Sequence, residues 1–121
     1  MNSEEMNGGV LKIALAPADL KDPRRVYDYF DKILRQEERK RILVDISEVR
    51  DATSLMIGTL LSLHLLAYEN LAVLKFAGLS PKVKMLFELL GVDKVIQAHY
   101  GVKEALSAFD EVGAPPGFEN R

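Results

Sequence analysis

The sequence predicts an α/β fold, with one mixed, mostly parallel sheet of about four to five strands packed by about four helices. Strand-like and helix-like segments alternate almost one for one, and two proline-marked helix starts separate them. With 48 % hydrophobic residues among 121, the chain can bury one core. The pattern predicts one folded domain over residues 10–112, between a flexible N-terminus (1–9) and a disordered tail (113–121).

The first half of the chain predicts two strands separated by an amphipathic helix. Residues 10–16, "VLKIALA", alternate between glycines and a proline, which is typical of a strand. Asp22 followed by Pro23 favours a helix start, because the carboxylate can cap free N–H groups and the missing donor of proline costs nothing in the first turn. The run "RILVDI" (41–46) predicts a central strand buried on both faces.

The second half predicts three helices and two strands. Residues 54–68 form a strongly apolar helix, and a strand follows near 72–77. Ser80 and Pro81 start the next helix, which Gly91 ends as a left-handed cap. "KVIQA" (94–98) predicts a short last strand and residues 101–112 a last helix. The apolar helix is too short for a bilayer, which takes about 20 residues, so we expect no membrane insertion.

The charge balance and the lack of cysteine narrow the possible functions. Sixteen basic and eighteen acidic residues are scattered along the chain, which argues against a nucleic-acid partner, since that needs a basic face. The absence of cysteine excludes a disulfide scaffold and a thiolate metal site and fits a reducing compartment. The N-terminus "MNSEEMNGG" has no apolar segment typical of a signal peptide. We therefore expect a cytoplasmic protein.

No constellation of catalytic residues can be assembled from the sequence. It has neither a zinc-binding histidine pair such as H-E-x-x-H nor a glycine-rich phosphate loop. His64 and His99 are predicted to be structural, because each lies alone in an apolar helix or near a strand end. We expect no enzyme, no cofactor and no metal.

Four aspartates have structural explanations. Asp19, Asp22 and Asp28 are spread along a loop and a helix, where a solvated surface explains them better than a metal site does. Asp45 lies in an apolar strand, where an ionised carboxylate is costly unless it is hydrogen-bonded. It is predicted to accept backbone N–H groups of the following turn, with a functional role as the alternative.

The stretch "DATSLMIG" (51–58) lies where α/β proteins place their sites. Ligands and partners of open α/β sheets gather at the carboxyl ends of the strands and at the helix starts that follow them. A phosphate on the first hydroxyl residue would be stabilised there by free N–H groups and the helix dipole. The competing explanation is that Thr53 or Ser54 is simply the helix N-cap.

Two segments resemble a known family. "ILVDISEVRDATSLMIGTLL", followed by "LKFAGLSPKVKMLFELLGVDKVI", is similar to the STAS domain of bacterial anti-sigma factor antagonists, and the likeness runs over residues 10–109. It implies a non-enzymatic protein that binds an anti-sigma factor, often a serine-protein kinase, and so releases a sigma factor. In the family, phosphorylation of Ser or Thr in a D-S-S-G-L-G-like motif at this helix start controls binding. The fold also serves in lipid and anion transport, so an accessory subunit of a membrane transport complex is the alternative.

The family motif can be aligned in two ways. One matches Asp51 to the motif aspartate and makes Thr53 the phosphoacceptor, but it shortens the upstream loop and puts Met56 where the second glycine belongs. The ungapped alignment, which we prefer, keeps the loop length and places Gly58 at that glycine. Leu55 then takes the usual acceptor position. Either Ser54, one place earlier, receives the phosphate, or the protein is not switched by phosphorylation here.

The phosphorylation candidates are therefore Ser54 and Thr53. The resemblance places the partner-binding surface on the loop and helix from 50 to 62, whereas Ile57, Leu60 and Leu61 are expected in the core. An exposed part of the helix face between residues 55 and 66 could also support a homodimer. The candidate partner-binding residues are Arg50, Asp51, Thr53, Ser54, Leu55, Met56, Thr59 and Ser62.

Overall fold

The computed structural model describes residues 1–36 and 41–111, and in them it confirms the predicted α/β fold. The five strands are β1 (Asn2–Met6), β2 (Val10–Ala14), β3 (Arg41–Asp45), β4 (Val73–Ala77) and β5 (Gln97–His99). The α-helices are α1 (Pro23–Gln36), α2 (Ser54–Glu69), α3 (Pro81–Leu89) and α4 (Val102–Glu111), and short 3₁₀ turns lie at Asn7–Gly9, Asp19–Lys21 and Val92–Lys94. The tail predicted at 113–121 lies outside the described residues.

The strands form one mixed sheet in the order β1-β2-β3-β4-β5. Strand β1 is antiparallel to β2, and the other neighbours are parallel. The register aligns Ala14 with Asp45, Asp45 with Ala77, and Ala77 with His99. The loops that follow β3, β4 and β5 therefore begin side by side at one edge of the sheet.

The N-terminal segment corrects one prediction. We expected residues 1–9 to be flexible, but residues 2–6 pair along their whole length with β2. Their polar sequence does not predict a strand, because the side chains of an exposed edge strand need not be buried. Such a strand is held by its backbone hydrogen bonds alone. Glu4 and Lys12 also form an ion pair across the two strands, at 3.5 Å.

Helices cover both faces of the sheet. Apolar side chains of α1, α2 and α3 pack on one face against alternate residues of β2, β3 and β4, such as Ile13, Val44 and Phe76. On the opposite face a smaller cluster joins α4 to the sheet, with Phe109 packed near Leu43 and Val10. None of the helices in the described ranges has the length and apolar character that crossing a bilayer requires.

Most predicted helix ends are confirmed. Asp22 Oδ1 accepts the Arg25 N–H at 3.3 Å, Ser80 Oγ accepts the Val83 N–H at 3.3 Å, and Gly91 has a φ of 71°. The last strand is displaced from the predicted 94–98 to Gln97–His99, because a 3₁₀ turn follows α3.

One aspartate lies in a different environment from the one predicted. Asp19 was expected on a solvated surface, yet it is only 7 % exposed. Asp19 is the first residue of the 3₁₀ turn, and its Oδ2 accepts the N–H of the preceding Ala16 at 2.8 Å. This hydrogen bond compensates in part for burying the carboxylate.

Candidate functional site

The start of α2 is capped by Thr53. Its backbone is extended, its Oγ1 accepts the Met56 N–H at 3.2 Å, and its own N–H donates to Met56 Sδ at 3.4 Å. This is a reciprocal capping box in which a thioether sulfur takes the place of the usual carboxylate or amide. Of the two cap candidates in the sequence, the structure thus assigns the cap to Thr53.

Ser54, the first residue of α2, has its side chain in solvent. The Ser54 hydroxyl makes no hydrogen bond to any described residue, and the next side chain, Leu55, is 70 % exposed. A serine hydroxyl and a large apolar side chain therefore stand next to each other on the outer surface, at the positive end of a helix dipole.

The loop that carries these residues is fixed to the sheet. Asp45 Oδ1 accepts the Ser47 N–H at 3.0 Å, which is the structural role predicted for that carboxylate. Ile46 N–H donates to the Ala77 carbonyl at 2.9 Å, and Val49 is fully buried. These contacts fix the backbone of residues 45–49 to the sheet and the core just before Arg50.

The starts of α2 and α3 are joined by two polar contacts. Ser80 Oγ, which caps α3, also donates to the Arg50 carbonyl at 2.8 Å. The Lys82 ammonium lies 3.6 Å from Asp51 Oδ2, and both side chains are exposed. The sequence predicts Ser80 as a cap but gives no signal of its second contact or of the contact of Lys82, because only the sheet register brings the two loops together.

Gly78 lets the two loops approach closely. Its φ is +84°, and a Cβ added there would lie 2.8 Å from Ser47 Cβ and 2.9 Å from Ser47 Cα. Only glycine fits this conformation and this spacing without a shift of the backbone.

Further along α2, the remaining site candidates separate into exposed and buried groups. Ser62 is exposed and its hydroxyl donates to the Gly58 carbonyl at 3.0 Å. Thr59 is 7 % exposed and donates to the Leu55 carbonyl at 3.2 Å, so its side chain is not part of the exposed surface. Met56 is half-buried beneath the cap. Ile57 and Leu60 are buried and Leu61 is half-buried against the core.

His64 lies ten residues after the start of α2, away from this edge of the sheet. His64 is buried within α2, its Nδ1 makes no hydrogen bond, and burial lowers its pKa below the usual value. In the ranges 1–36 and 41–111, no three His, Asp or Glu side chains are placed so that they could hold a metal ion. What the edge offers is an exposed surface of hydroxyl, aliphatic and charged groups.

Comparisons with known proteins agree with this architecture. A family model described as "Mlab, STAS domain" matches residues 4–98. No match is found among curated proteins.

Among solved structures, a chain of the stressosome, a signal integration and transduction hub, is 15 % identical, with 91 % of this chain and 96 % of that chain covered and a TM-score of 0.78. A STAS domain protein from Planctomyces limnophilus is 17 % identical, with 90 % and 97 % covered and a TM-score of 0.74. A candidate anti-sigma factor antagonist from Thermotoga maritima is 14 % identical, with 88 % and 92 % covered and a TM-score of 0.71. At these identities the likeness concerns the fold.

Proposed function

Because the chain belongs to the STAS domain family, we propose that it is a non-enzymatic regulatory protein that binds an anti-sigma factor or a switch kinase and so releases a sigma factor. Its binding surface would be the loop and the first turns of α2, from 50 to 62. The fold is shared with an anti-sigma factor antagonist candidate and with a stressosome chain, and this likeness supports the proposal.

The arrangement of Thr53, Ser54 and Leu55 is the observation that carries the proposal. Because Thr53 caps α2, the Ser54 hydroxyl has no role in stabilising the helix end. Leu55 is exposed to solvent instead of packed in the core. An apolar side chain framed by polar groups is typical of the central part of a protein interface. Leu55 would supply apolar contact area, and the exposed hydroxyl beside it would be the control point.

A phosphate on Ser54 would change this surface electrostatically. It would bring about −1.5 to −2 charges to the position beside Leu55, which repels an apolar or acidic partner. The helix itself would tolerate the group, because the first turn of α2 has no acidic residue and its dipole favours negative charge. Phosphorylation would thus weaken partner binding while α2 stays folded.

Phosphopeptide mapping tests the switch. The purified chain is incubated with its cognate kinase and ATP, and we expect one phosphate on Ser54, whose hydroxyl is exposed. Phosphate on Thr53 would support the gapped alignment of the motif instead. If neither residue is modified, the protein is a constitutive binder and the switch part of the proposal is abandoned.

A pull-down against the anti-sigma factors and switch kinases of the host tests the partner. Wild-type protein should capture one of them, and Leu55→Glu should lose at least about nine-tenths of the capture, the loss expected for a central interface residue. Leu71→Glu is a matched control, because Leu71 is 61 % exposed and lies beyond the opposite end of α2. Capture of none of these proteins by the wild type would refute the proposed function and leave the fold untouched.

A subunit role in a membrane transport complex is the second candidate. The description of the matching family model names Mlab and not an anti-sigma factor antagonist, and the STAS fold also serves in lipid and anion transport. The two candidates predict different partners. Copurification from detergent-solubilised host membranes with a transporter ATPase, and with no sigma regulator, would favour this second role.

A further inference from the structure

Met56 occupies a position at which helices usually place an oxygen acceptor. Its Sδ lies 3.4 Å from the backbone nitrogen of Thr53 and accepts that N–H at the start of α2. In the usual capping box the third residue of the helix is glutamate or glutamine, and its side-chain oxygen accepts this hydrogen bond. A thioether sulfur is a weak acceptor. The Thr53 N–H is therefore held by a weaker hydrogen bond than an ordinary capping box provides.

Oxidation of Met56 would supply the missing oxygen. Methionine sulfoxide carries its oxygen on Sδ and glutamine carries its acceptor oxygen on Cδ, so the two oxygens lie the same number of bonds from the backbone. Because Sδ already lies against the Thr53 N–H, a small rotation of the side chain brings a sulfoxide oxygen to about 2.9 Å from that nitrogen, the usual N–H···O distance. The positive end of the α2 dipole also favours the partial negative charge of the oxygen. The oxidised side chain thus fits the capping box better than the reduced one.

The Met56 sulfur is available for this reaction. The side chain is only half-buried, and a thioether sulfur has two lone pairs, of which the Thr53 N–H occupies one. The other lone pair can attack hydrogen peroxide: an S–O bond forms as the O–O bond breaks, the second oxygen leaves as water, and the sulfur gives two electrons to the peroxide. A methionine sulfoxide reductase, with a dithiol as reductant, removes the oxygen again as water.

The other three methionines of the chain are placed differently. Met1 and Met6 are half-buried and pack against the two hydrophobic clusters, whereas Met85 is 55 % exposed on α3. Within the ranges 1–36 and 41–111, Met56 alone among the methionines has a sulfur that accepts a hydrogen bond. A backbone donor therefore awaits a sulfoxide oxygen at Met56 and not at the other three.

We propose that Met56 is a site of reversible oxidation, at which a sulfoxide oxygen takes over the capping hydrogen bond from the sulfur. Helix α2 stays folded, and its first turn gains a polar group next to the exposed Leu55. Such a group would alter the surface proposed for the partner, but the modification itself depends only on the cap and does not rest on the proposed function.

Treatment of the folded chain with hydrogen peroxide tests the site. Peptide mapping should place one oxygen on Met56 and one on Met85, whose exposed sulfur reports the reactivity of a methionine in solvent. In Met85→Leu the oxygen on Met56 should remain, and a methionine sulfoxide reductase should remove it.

The amide proton of Thr53 reports the hydrogen bond in nitrogen–proton correlation spectra. It should move downfield on oxidation of Met56 and also in Met56→Gln, which puts an amide oxygen where the sulfoxide oxygen is expected. In Met56→Leu, which has no acceptor, it should move upfield. Met85→Gln is the matched control and should leave this resonance in place.

Urea unfolding of Met85→Leu distinguishes an oxygen with a hydrogen bond from one without. Met56 packs against the core, so an added oxygen without a partner would lower the midpoint of unfolding, whereas an oxygen in the cap should leave it unchanged. Three results would overturn the proposal: no oxygen on Met56 when Met85 is fully oxidised, a Thr53 amide proton that does not move, or a lower midpoint after oxidation. No partner takes part in these measurements, so their outcome is independent of the proposed function.

Discussion

Replacing Thr53 by alanine should destabilise the protein, whereas replacing Ser54 should not. Thr53→Ala removes the hydroxyl oxygen that accepts the Met56 N–H at 3.2 Å, and loss of such an N-cap costs about 1 kcal/mol. The backbone contact from Thr53 N–H to Met56 Sδ does not involve the lost group and should persist. In a domain of this size the cap loss corresponds to a Tm lowered by about 4 °C.

Ser54→Ala has the opposite expectation. The Ser54 hydroxyl makes no hydrogen bond to the described residues, and alanine has the higher helix propensity, so stability should be unchanged or raised by about 0.5 kcal/mol. Urea unfolding followed by circular dichroism measures both variants against the wild type, with Thr53→Ser as the control that keeps the cap. The m-value should not change, which allows the midpoints to be compared directly.

A loss of stability in Ser54→Ala as large as that in Thr53→Ala, or larger, would contradict the assignment of the cap to Thr53. In that case Ser54 is the N-cap of α2 in solution and its hydroxyl is hydrogen-bonded. The N-cap and the proposed phosphorylation site would then be the same residue.

Two further predictions concern packing and pH. Gly78→Ala puts a Cβ 2.8 Å from Ser47 Cβ at a φ of +84°, so it should lower the free energy of unfolding by about 2 kcal/mol. Gly58→Ala is the control: its Cβ meets no heavy atom within 4 Å, and the substitution should raise the free energy of unfolding by about 0.5–1 kcal/mol. Equal effects of the two in denaturant titrations would contradict this account of the loop contact. Burial lowers the pKa of His64 in the folded state, so the unfolded chain binds more protons below pH about 6.5 and stability should fall as pH drops through that region. In unfolding titrations at several pH values, His64→Leu should have a shallower pH dependence than the wild type, and an unchanged slope would rule out His64 as its cause.

The elements that the sequence predicted correctly are those with a buried pattern or a cap. The apolar runs of β3 and β4 and the proline-marked starts of α1 and α3 depend on local chemistry, which is visible in one chain. Strand β1 was missed because "NSEEM" buries nothing and is held only by its pairing with β2.

Lys75 is fully buried beneath α4, where its ammonium donates to Gln97 Oε1 and lies 5.4 Å from the centre of the Phe109 ring. Those contacts are set by tertiary packing and have no local signal.

At the start of α2 the sequence predicted some of the contacts and not others. The hydrogen bond of Asp45 to the following turn could be predicted, because a carboxylate at a strand end has few other ways to be satisfied. The choice between Thr53 and Ser54 as cap could not, since both residue types cap well and the choice depends on where the backbone turns helical. The contact of Ser80 with Arg50 joins loops thirty residues apart and follows from the sheet register.

Titration calorimetry of the chain with the captured anti-sigma factor or kinase tests directly whether a charge at Ser54 controls partner binding. Ser54→Asp puts a negative charge at the first position of α2, where the dipole favours it, so the variant should stay folded. Ser107→Asp places the same charge on the exposed side of α4, on the opposite face of the sheet. Binding should be at least about tenfold weaker for Ser54→Asp and unchanged for Ser107→Asp and Ser54→Ala. Wild-type affinity in Ser54→Asp, or an equal loss in Ser107→Asp, would contradict the proposed control of binding at Ser54.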